Sequence, residues 1–308
     1  MHFGPLRKSA WGQRTGEDSL AAGSDHSSAA GQPLAVTPSA RFDVADRAEA
    51  DYVRMWRLRH MDAGQLRRLV SGDPKIAAPW ILSAARYGIV EAQTRLGQMY
   101  LDGAGLPCDQ VAAVSWFTRA ADKGAPEAMN MVGRCYENGW GVAEDLSSAA
   151  QWYRRSAEAG YDWGEYNYAN MLFDGRGVAC DRRQSVYWYQ RAAQQGHARA
   201  MNLLARSLEQ GWGVARDPAR ALEWYSRSAH AGYFRAQFNF ATVLASAGRI
   251  DEALVWFQRA CQTATPDSQR GMAEMLARHA NPRLADLGSS YRGLSASRLE
   301  DQLETVQT

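Results

Sequence analysis

Tryptophan recurs in this chain at a constant step of 36 residues, and a glycine follows each of these tryptophans eight residues later. The tryptophans are Trp80, Trp116, Trp152, Trp188 and Trp224, and the glycines are Gly88, Gly124, Gly160, Gly196 and Gly232. A fixed period of this length is typical of stacked supersecondary units that bury their apolar faces against their neighbours. The sequence therefore predicts a repeat array.

Each period contains two segments with helical apolar spacing, for example residues 127–138 and 145–159. Gly139 and Gly141 are placed to reverse the chain between them, because glycine adopts positive φ without steric cost. Asp145 is placed to cap the second helix. Each unit is therefore predicted to be an antiparallel helix pair, in which the tryptophan supplies the large buried area.

The segment AMNMVGRCYENGWGVAEDLSSAAQWYRRSAEAG, residues 128–160, resembles the Sel1-like repeat, a relative of the tetratricopeptide repeat. Further copies span residues 92–124, 164–196 and 200–232, a degenerate unit ends at 80–88, and residues 248–253 resemble a tetratricopeptide turn. The resemblance implies an all-α, right-handed α-solenoid of stacked antiparallel helix pairs with a tetratricopeptide-like last unit. It also implies a role in assembling protein complexes.

Composition and periodicity together predict five segments. Residues 1–40 are rich in Gly, Ser, Ala, Asp and Pro without sustained periodicity, which is typical of a disordered tail. The other predicted segments are capping helices with a degenerate repeat at 41–88, the array at 89–264, a capping helix at 265–287 and a polar tail at 288–308.

The charge balance indicates a soluble protein, and the cysteines indicate a reducing compartment. With a formal net charge of +2, the chain has no global field that demands nucleic acid. No apolar run reaches membrane-spanning length, and no apolar segment follows the basic start. The four cysteines are too far apart in sequence to suggest a metal cluster and are expected to be free thiols. We therefore expect a cytoplasmic location.

No enzymatic motif is present, and we expect a non-enzymatic protein without cofactor or metal. Some Sel1-like repeat proteins have been discussed as β-lactamase-like hydrolases, which would carry an S-x-x-K motif, but none of the three lysines here follows a serine at that spacing. Pro5, Gly72 and Ala120 stand where the serine would be. A hydrolase of that type remains an alternative.

The partner is expected to be a protein or peptide held in the concave groove, which the first helix of each pair lines in tetratricopeptide relatives. Asparagine can pair with a peptide backbone, arginine can hold a carboxylate, and aromatic side chains give rigid contacts. An alternative interpretation of Trp163 and Tyr166 is that they merely fill space because their repeat is irregular. The predicted groove residues are Asn130, Arg134, Trp163, Tyr166, Asn170, Phe173, Asn202, Arg206 and Phe238, with Trp140 and Trp212 from the loops.

Residues 52–70 mix large apolar and basic side chains. One interpretation is that this segment caps the first repeat, because the end of a solenoid must be covered. The alternative is association with a membrane surface or nucleic acid through a basic helix.

Overall fold

A computed structural model describes residues 38–292, except for the side chains of residues 38–48, 63, 66, 67 and 70. Most of the predicted N-terminal tail and residues 293–308 of the predicted C-terminal tail lie outside the described residues. Within 38–292 the backbone forms helices and loops and no strand. The prediction of an all-α fold built from repeated helix pairs is confirmed.

The described helices are short and nearly uniform in length, since most contain 13 residues. Those of residues 38–277 are α1 Pro38–His60, α2 Ala63–Ser71, α3 Pro74–Arg86, α4 Val90–Asp102, α5 Gln110–Asp122, α6 Pro126–Asn138, α7 Leu146–Glu158, α8 Asp162–Asp174, α9 Arg182–Gln194, α10 Ala198–Gln210, α11 Pro218–His230, α12 Phe234–Ser246, α13 Ile250–Thr263 and α14 Pro266–Ala277. Residues 282–292 are also helical.

The described residues form two compact units that divide between Asp109 and Gln110. In the first unit α3 packs on α4, and both α1 and α2 pack on α3. The side chain of Asp51 on α1 accepts hydrogen bonds from Ser83 Oγ (2.5 Å) and Arg86 Nη1 (2.9 Å) on α3. Met55, one turn later on α1, is buried.

The second unit contains the regular pairs α6/α7, α8/α9, α10/α11 and α12/α13, in which a first helix packs on a second helix. Successive pairs join because each second helix also packs on the next first helix, as α7 does on α8. First helices also touch one another directly, α6 on α8 and α10 on α12. The core is therefore shared between neighbouring units, as a repeat array requires.

The predicted helix cap and turn glycines of the repeats are present. Asp145 caps α7, because its side chain accepts hydrogen bonds from the backbone N–H groups of Ser147 (2.9 Å) and Ser148 (3.1 Å). Gly139 ends α6 at φ 68°, and Gly141 lies against the preceding second helix, where a Cβ would collide with the carbonyl of Gln110. The Gly-x-Gly pair thus combines a left-handed turn with a close backbone approach.

The largest fully buried side chain of each regular pair is the residue after the tryptophan. Tyr153, Tyr189 and Tyr225 are 1–2% exposed. Trp152 is partly exposed, and the Arg155 guanidinium lies 4.1 Å from its ring centroid. Trp188 and Trp224 are 9% exposed and belong to the core, so the expectation that the tryptophan supplies the large buried area holds at those positions and holds only in part for Trp152, which lies at the edge of the core. Its ring needs a cover, which the arginine one turn later provides.

The described residues end with two helices packed closely together. A Cβ on Gly288 would collide with the backbone of Ala273 and Ala277 in α14. Leu284, in the same last helix, is fully buried. This helix extends to residue 292 and so passes position 287, where the sequence suggested that the capping helix ends.

Candidate functional site

The predicted groove residues lie on the first helices α6, α8, α10 and α12 and on the loops after α6 and α10, all within the second unit. We call the surface formed by those that reach solvent the first-helix face. Its exposed or partly exposed members are Arg134, Trp140, Trp163, Tyr166, Asn170, Phe173, Arg206 and Trp212.

Asn130, Asn202 and Phe238 are not part of this face, because their side chains are only 4%, 4% and 7% exposed. Asn130 Oδ1 accepts a hydrogen bond of 2.8 Å from Asn167 of the next first helix. Asn202 accepts the equivalent bond from Asn239, also 2.8 Å. The prediction that Asn130 and Asn202 line a groove open to a partner is therefore wrong. Their amides join successive repeats because a buried polar group needs a partner.

Phe238 belongs to the core of the last pair. Its ring contacts Phe257 with a centroid distance of 5.0 Å and an edge-to-face angle of 65°. An edge-to-face contact of this kind is a packing interaction. It explains the burial of Phe238.

Phe173, Arg206 and Trp212 meet at one point of the first-helix face. Phe173 comes from the last turn of α8, and its ring contacts Trp212 edge to face at 5.4 Å. Arg206 lies over the Trp212 ring at 5.4 Å, and Arg182, at the start of α9, lies over the Phe173 ring at 5.2 Å. The loop after one first helix thus packs on the end of the preceding first helix, which brings aromatic and cationic groups together.

A second pair of the same kind lies on α6 and its loop. Arg134 lies over the Trp140 ring at 5.1 Å. Beside it, Glu137 accepts a hydrogen bond of 2.5 Å from Tyr153 Oη and pairs with Arg176 at 2.9 Å. Arg176 occupies the loop position equivalent to Trp140. The ion pair of Glu137 with Arg176 joins one repeat to the next. At the same two positions, 36 residues later, the following repeat interface has the aromatic pair of Phe173 with Trp212.

Asn170, between these two arrangements, is the acceptor for a buried tyrosine. Tyr189 Oη donates a hydrogen bond of 2.6 Å to Asn170 Oδ1. The phenol is deeply buried, and burial raises the pKa of Tyr189 above its ordinary value. The amide oxygen of Asn170 is therefore engaged within the protein, although the residue is partly exposed.

Trp163 and Tyr166 pack around a buried histidine at the start of α10. Both rings contact the His197 ring, Trp163 edge to face at 4.6 Å and Tyr166 stacked at 4.7 Å. His197 caps α10, since its Nδ1 accepts a hydrogen bond of 3.1 Å from the backbone N–H of Ala200. Part of each aromatic surface therefore fills space, and only the remainder reaches solvent.

Glu165, on the same helix, is a fully buried acid that joins α8 to α9. Its carboxylate pairs with Arg191 Nε at 3.0 Å and accepts a hydrogen bond of 2.8 Å from Gln195 Nε2. Desolvation by burial raises the pKa of Glu165, and Arg191 opposes this rise only in part. The carboxylate lies inside the repeat and not on the first-helix face.

Sequence reasoning missed Arg176, Arg182 and His197, all of which border the predicted groove residues. A signal for two of them was available. Arg176 occupies the same repeat position as Trp140 and Trp212, and His197 occupies the position just before a first helix. Reading every position across the repeats would have pointed to both.

A separate exposed surface lies on α1 in the first unit. Tyr52, Val53 and Trp56 are 63%, 41% and 55% exposed, and Arg57 and Arg59 beside them are exposed as well. No helix among residues 38–292 combines the length and apolarity that a membrane span requires. Helix α1 thus has a buried side, formed by Asp51 and Met55, and an exposed aromatic and basic side.

All four cysteines lie within the described residues and are free thiols. Cys108 and Cys180 are exposed, whereas Cys135 and Cys261 are buried. Burial raises the pKa of Cys135 to about 12 and that of Cys261 to about 11. The buried pair therefore remains protonated and poorly reactive at neutral pH.

Comparison with solved structures places the chain beside known repeat proteins. A Sel1 repeat protein from Oxalobacter formigenes is 26% identical, with a TM-score of 0.65 over 78% of this chain and 97% of that one. A protective antigen of uropathogenic Escherichia coli strains, described as displaying an SLR fold, is 26% identical with a TM-score of 0.63 over 84% of this chain. The match spans 56% of the antigen, little more than half its length. A comparison with curated proteins gives no match.

The family comparison agrees with the repeat boundaries. The Sel1 repeat model matches residues 90–124, 126–161, 164–197, 198–233 and 250–262. Four of these matches each span one full repeat, and the last covers most of α13. The recurrent tryptophans, the aspartate caps and the left-handed glycines therefore identify this chain as a member of the Sel1 repeat family.

Proposed function

We propose that this protein is a non-enzymatic scaffold or adaptor that binds a partner protein or peptide on its first-helix face. The observation that carries the proposal is the cluster of Phe173, Arg206 and Trp212, in which the Trp212 ring contacts both the Phe173 ring and the Arg206 guanidinium and all three side chains still reach solvent. Members of this family commonly act as protein-interaction scaffolds, which agrees with this assignment.

The chemistry of the cluster suits a protein ligand. Tryptophan and arginine are enriched among the residues that dominate binding energy at interfaces. The contacts of Trp212 with Phe173 and Arg206 hold its ring in place, so that little conformational entropy is lost on binding. The four free thiols support a cytoplasmic location for this interaction.

Selection of peptides from a displayed random library on the full-length protein tests the proposal. Selected peptides should lose at least about tenfold in affinity for the Arg206→Ala and Trp212→Ala variants, as expected when a central anchor is removed. Arg227→Ala is the matched control, because Arg227 also stacks on a tryptophan, Trp224, at 4.5 Å but belongs to a second helix. Equal losses in all three variants would refute this choice of face.

The non-enzymatic part of the proposal is tested separately. The purified chain is incubated with a chromogenic β-lactam, and hydrolysis is followed by absorbance. We expect no turnover above that of the unfolded protein. Turnover that is lost on unfolding would establish the hydrolase alternative instead.

The exposed side of α1 supports a second candidate, association with an anionic membrane surface. Tyr52 and Trp56 are amphipathic aromatics that favour the headgroup region, and Arg57 and Arg59 favour anionic lipid. Vesicles that contain phosphatidylserine should then bind the protein, and salt should weaken the binding. A Trp56→Ala/Arg57→Gln variant should lose it. If neutral vesicles bind equally well, or if the variant binds as before, this candidate is wrong.

A further inference from the structure

Between Trp163 and Phe173, the side of α8 that reaches solvent carries no charged side chain. The acid within this stretch, Glu165, is fully buried. Trp163, Tyr166, Asn170 and Phe173 are partly exposed and follow one another at intervals of three, four and three residues. This is the spacing of residues on one face of a helix. We call these four residues the α8 stripe.

The neighbouring first helices carry charged residues at the equivalent repeat positions. Those that reach solvent at least in part are Glu127, Arg134 and Glu137 on α6, and Arg199, Arg206 and Glu209 on α10. Each flank has charges of both signs, so neither flank favours a polyanion. The apolar surface is therefore elongated along the axis of α8 and bordered by charge on both sides.

The contact between α8 and α10 differs from the contacts between the other first helices. A buried asparagine pair joins α6 to α8, and an equivalent pair joins α10 to α12. At the same positions of α8 and α10 stand Tyr166 and Leu203, which pack on the core and are still partly exposed. Helices α8 and α10 also contact each other less than α6 and α8 do. An apolar pair that reaches solvent thus replaces a polar bridge that is buried.

The aromatic rings of the α8 stripe are held in place within the protein. Trp163 and Tyr166 contact the buried His197 ring, with centroid distances of 4.6 and 4.7 Å. Phe173 contacts Trp212 at 5.4 Å. Rings that are already ordered lose little conformational entropy when a partner covers them.

The dimensions of the stripe favour one kind of partner segment. Ten residues of helix separate Trp163 from Phe173, which corresponds to about 15 Å along the axis. An amphipathic helix presents residues i, i+3, i+7 and i+10 as an apolar stripe of that length, with polar residues on both sides. An extended peptide covers the same length in about five residues and directs only every second side chain to the surface.

Resting on the proposed function, we infer that the partner segment is an amphipathic α-helix that lies along the α8 stripe. Its apolar residues contact Trp163, Tyr166 and Phe173. The charged residues beside its apolar face meet the charged flanks on α6 and α10. The complex thus has an apolar centre and a polar rim, the usual arrangement of a protein interface.

Two displayed peptide libraries test this inference on the full-length protein. In the helical library, leucine is fixed at positions i, i+3, i+7 and i+10; in the extended library, the same number of leucines occupies every second position. All other positions are random. By fluorescence anisotropy, the best helical binders should bind at least about tenfold more tightly than the best extended ones. A central proline should weaken a helical binder by at least about tenfold, because proline breaks a helix.

The Phe173→Glu variant tests the stripe with a residue that the fold already uses. Helices α6 and α10 have glutamate at this repeat position, where it accepts a hydrogen bond from the tyrosine 16 residues later, at 2.5 and 2.9 Å. Tyr189 is the equivalent tyrosine of this repeat and can donate in the same way. The variant should therefore fold and bind the helical peptides at least about tenfold more weakly.

Trp163→Arg is a second variant of the same design, because α10 and α12 have arginine at this repeat position. It should cause a loss of similar size. Tyr187→Glu is the matched control. Tyr187 is an aromatic residue with 55% exposure on the second helix α9, and the next repeat has Glu223 at its position. The control should bind as the unchanged protein does, and thermal melts followed by circular dichroism check that every variant is folded.

Several results would overturn the inference. One is a helical library without binders, and another is extended peptides that bind as tightly as helical ones. A third is equal binding to Phe173→Glu, Trp163→Arg and Tyr187→Glu. A fourth is a dimer of the protein alone, seen by size-exclusion chromatography, that dissociates in the Phe173→Glu variant, because a second copy of this chain would then occupy the stripe.

The proposed function is judged by a separate result. If the helix inference is overturned but peptides from the fully random library still depend on Arg206 and Trp212, the proposed function stands. If those peptides bind without regard to Arg206 and Trp212, the proposed function fails.

Discussion

Replacing Asn130 by alanine should destabilise the fold, because this side chain joins two repeats. Asn130 is 4% exposed and accepts a hydrogen bond of 2.8 Å from Asn167. The lost hydrogen bond contributes about 0.5–1.5 kcal/mol, and the partly buried amide of Asn167 is left without its acceptor, which adds to the cost. We therefore expect a loss of about 1–2 kcal/mol in the free energy of unfolding.

Urea unfolding of the full-length protein, followed by circular dichroism at 222 nm, measures this loss. Three variants form a double-mutant cycle, namely Asn130→Ala, Asn167→Ala and the variant with both changes. The double variant should lose about 1 kcal/mol less than the sum of the single losses, because it leaves neither amide unsatisfied.

Asn138→Ala is the matched control, because Asn138 lies on the same helix but is exposed. Its effect should stay within about 0.5 kcal/mol. The reasoning is refuted if Asn130→Ala costs less than about 0.5 kcal/mol, or if the two single losses simply add within the usual error of about 0.3–0.5 kcal/mol.

Three further predictions concern the interior of the protein. A thiol reagent at neutral pH should label two cysteines in the native state, the exposed Cys108 and Cys180, and all four after unfolding. Mass spectrometry of the labelled peptides identifies the modified cysteines, and native-state labelling of Cys135 or Cys261 would contradict the prediction. Gly177→Ala should lower the melting temperature by several degrees, because φ at this position is 67° and a Cβ would collide with a backbone carbonyl; an unchanged melting temperature would contradict the close approach. Burial raises the pKa of Glu165 above 4.5, so the native state binds this proton more readily than the unfolded state, and stability should fall as pH rises from about 4.5 through the native pKa. Glu165→Gln should remove that decrease in urea titrations, and an identical pH profile for the variant would show that Glu165 does not cause it.

The sequence alone determined the repeat and its internal plan. The aspartates before the second helices and the paired glycines each have a local physical cause. A cap satisfies backbone N–H groups a few residues away, and a glycine permits a turn at its own position. Local causes of this kind can be read without knowing what lies across the fold. For the same reason Asp145, Gly139 and Gly141 have the roles expected of them.

Tertiary structure decided which side chains of the first helices reach solvent. The period of a helix tells which residues share a face, but it does not tell which of them meets the next repeat. Asn130 and Asn202 share a face with Arg134 and Arg206, yet the asparagines are buried against a neighbouring helix and Arg206 is exposed. Their partners, Asn167 and Asn239, are 37 residues away in sequence. Contacts at that distance depend on how the repeats stack.

The order of burial around the tryptophans also depended on the fold. Trp152 and Tyr153 are adjacent large aromatics, and the sequence predicted a large buried area for the tryptophan without showing which of the two side chains lies deeper. The packing angle of the helix places Tyr153 inside, with its hydroxyl reaching Glu137, and leaves Trp152 at the edge under Arg155. Adjacent residues on a helix point about 100° apart, so a small rotation of the helix decides which of them is covered.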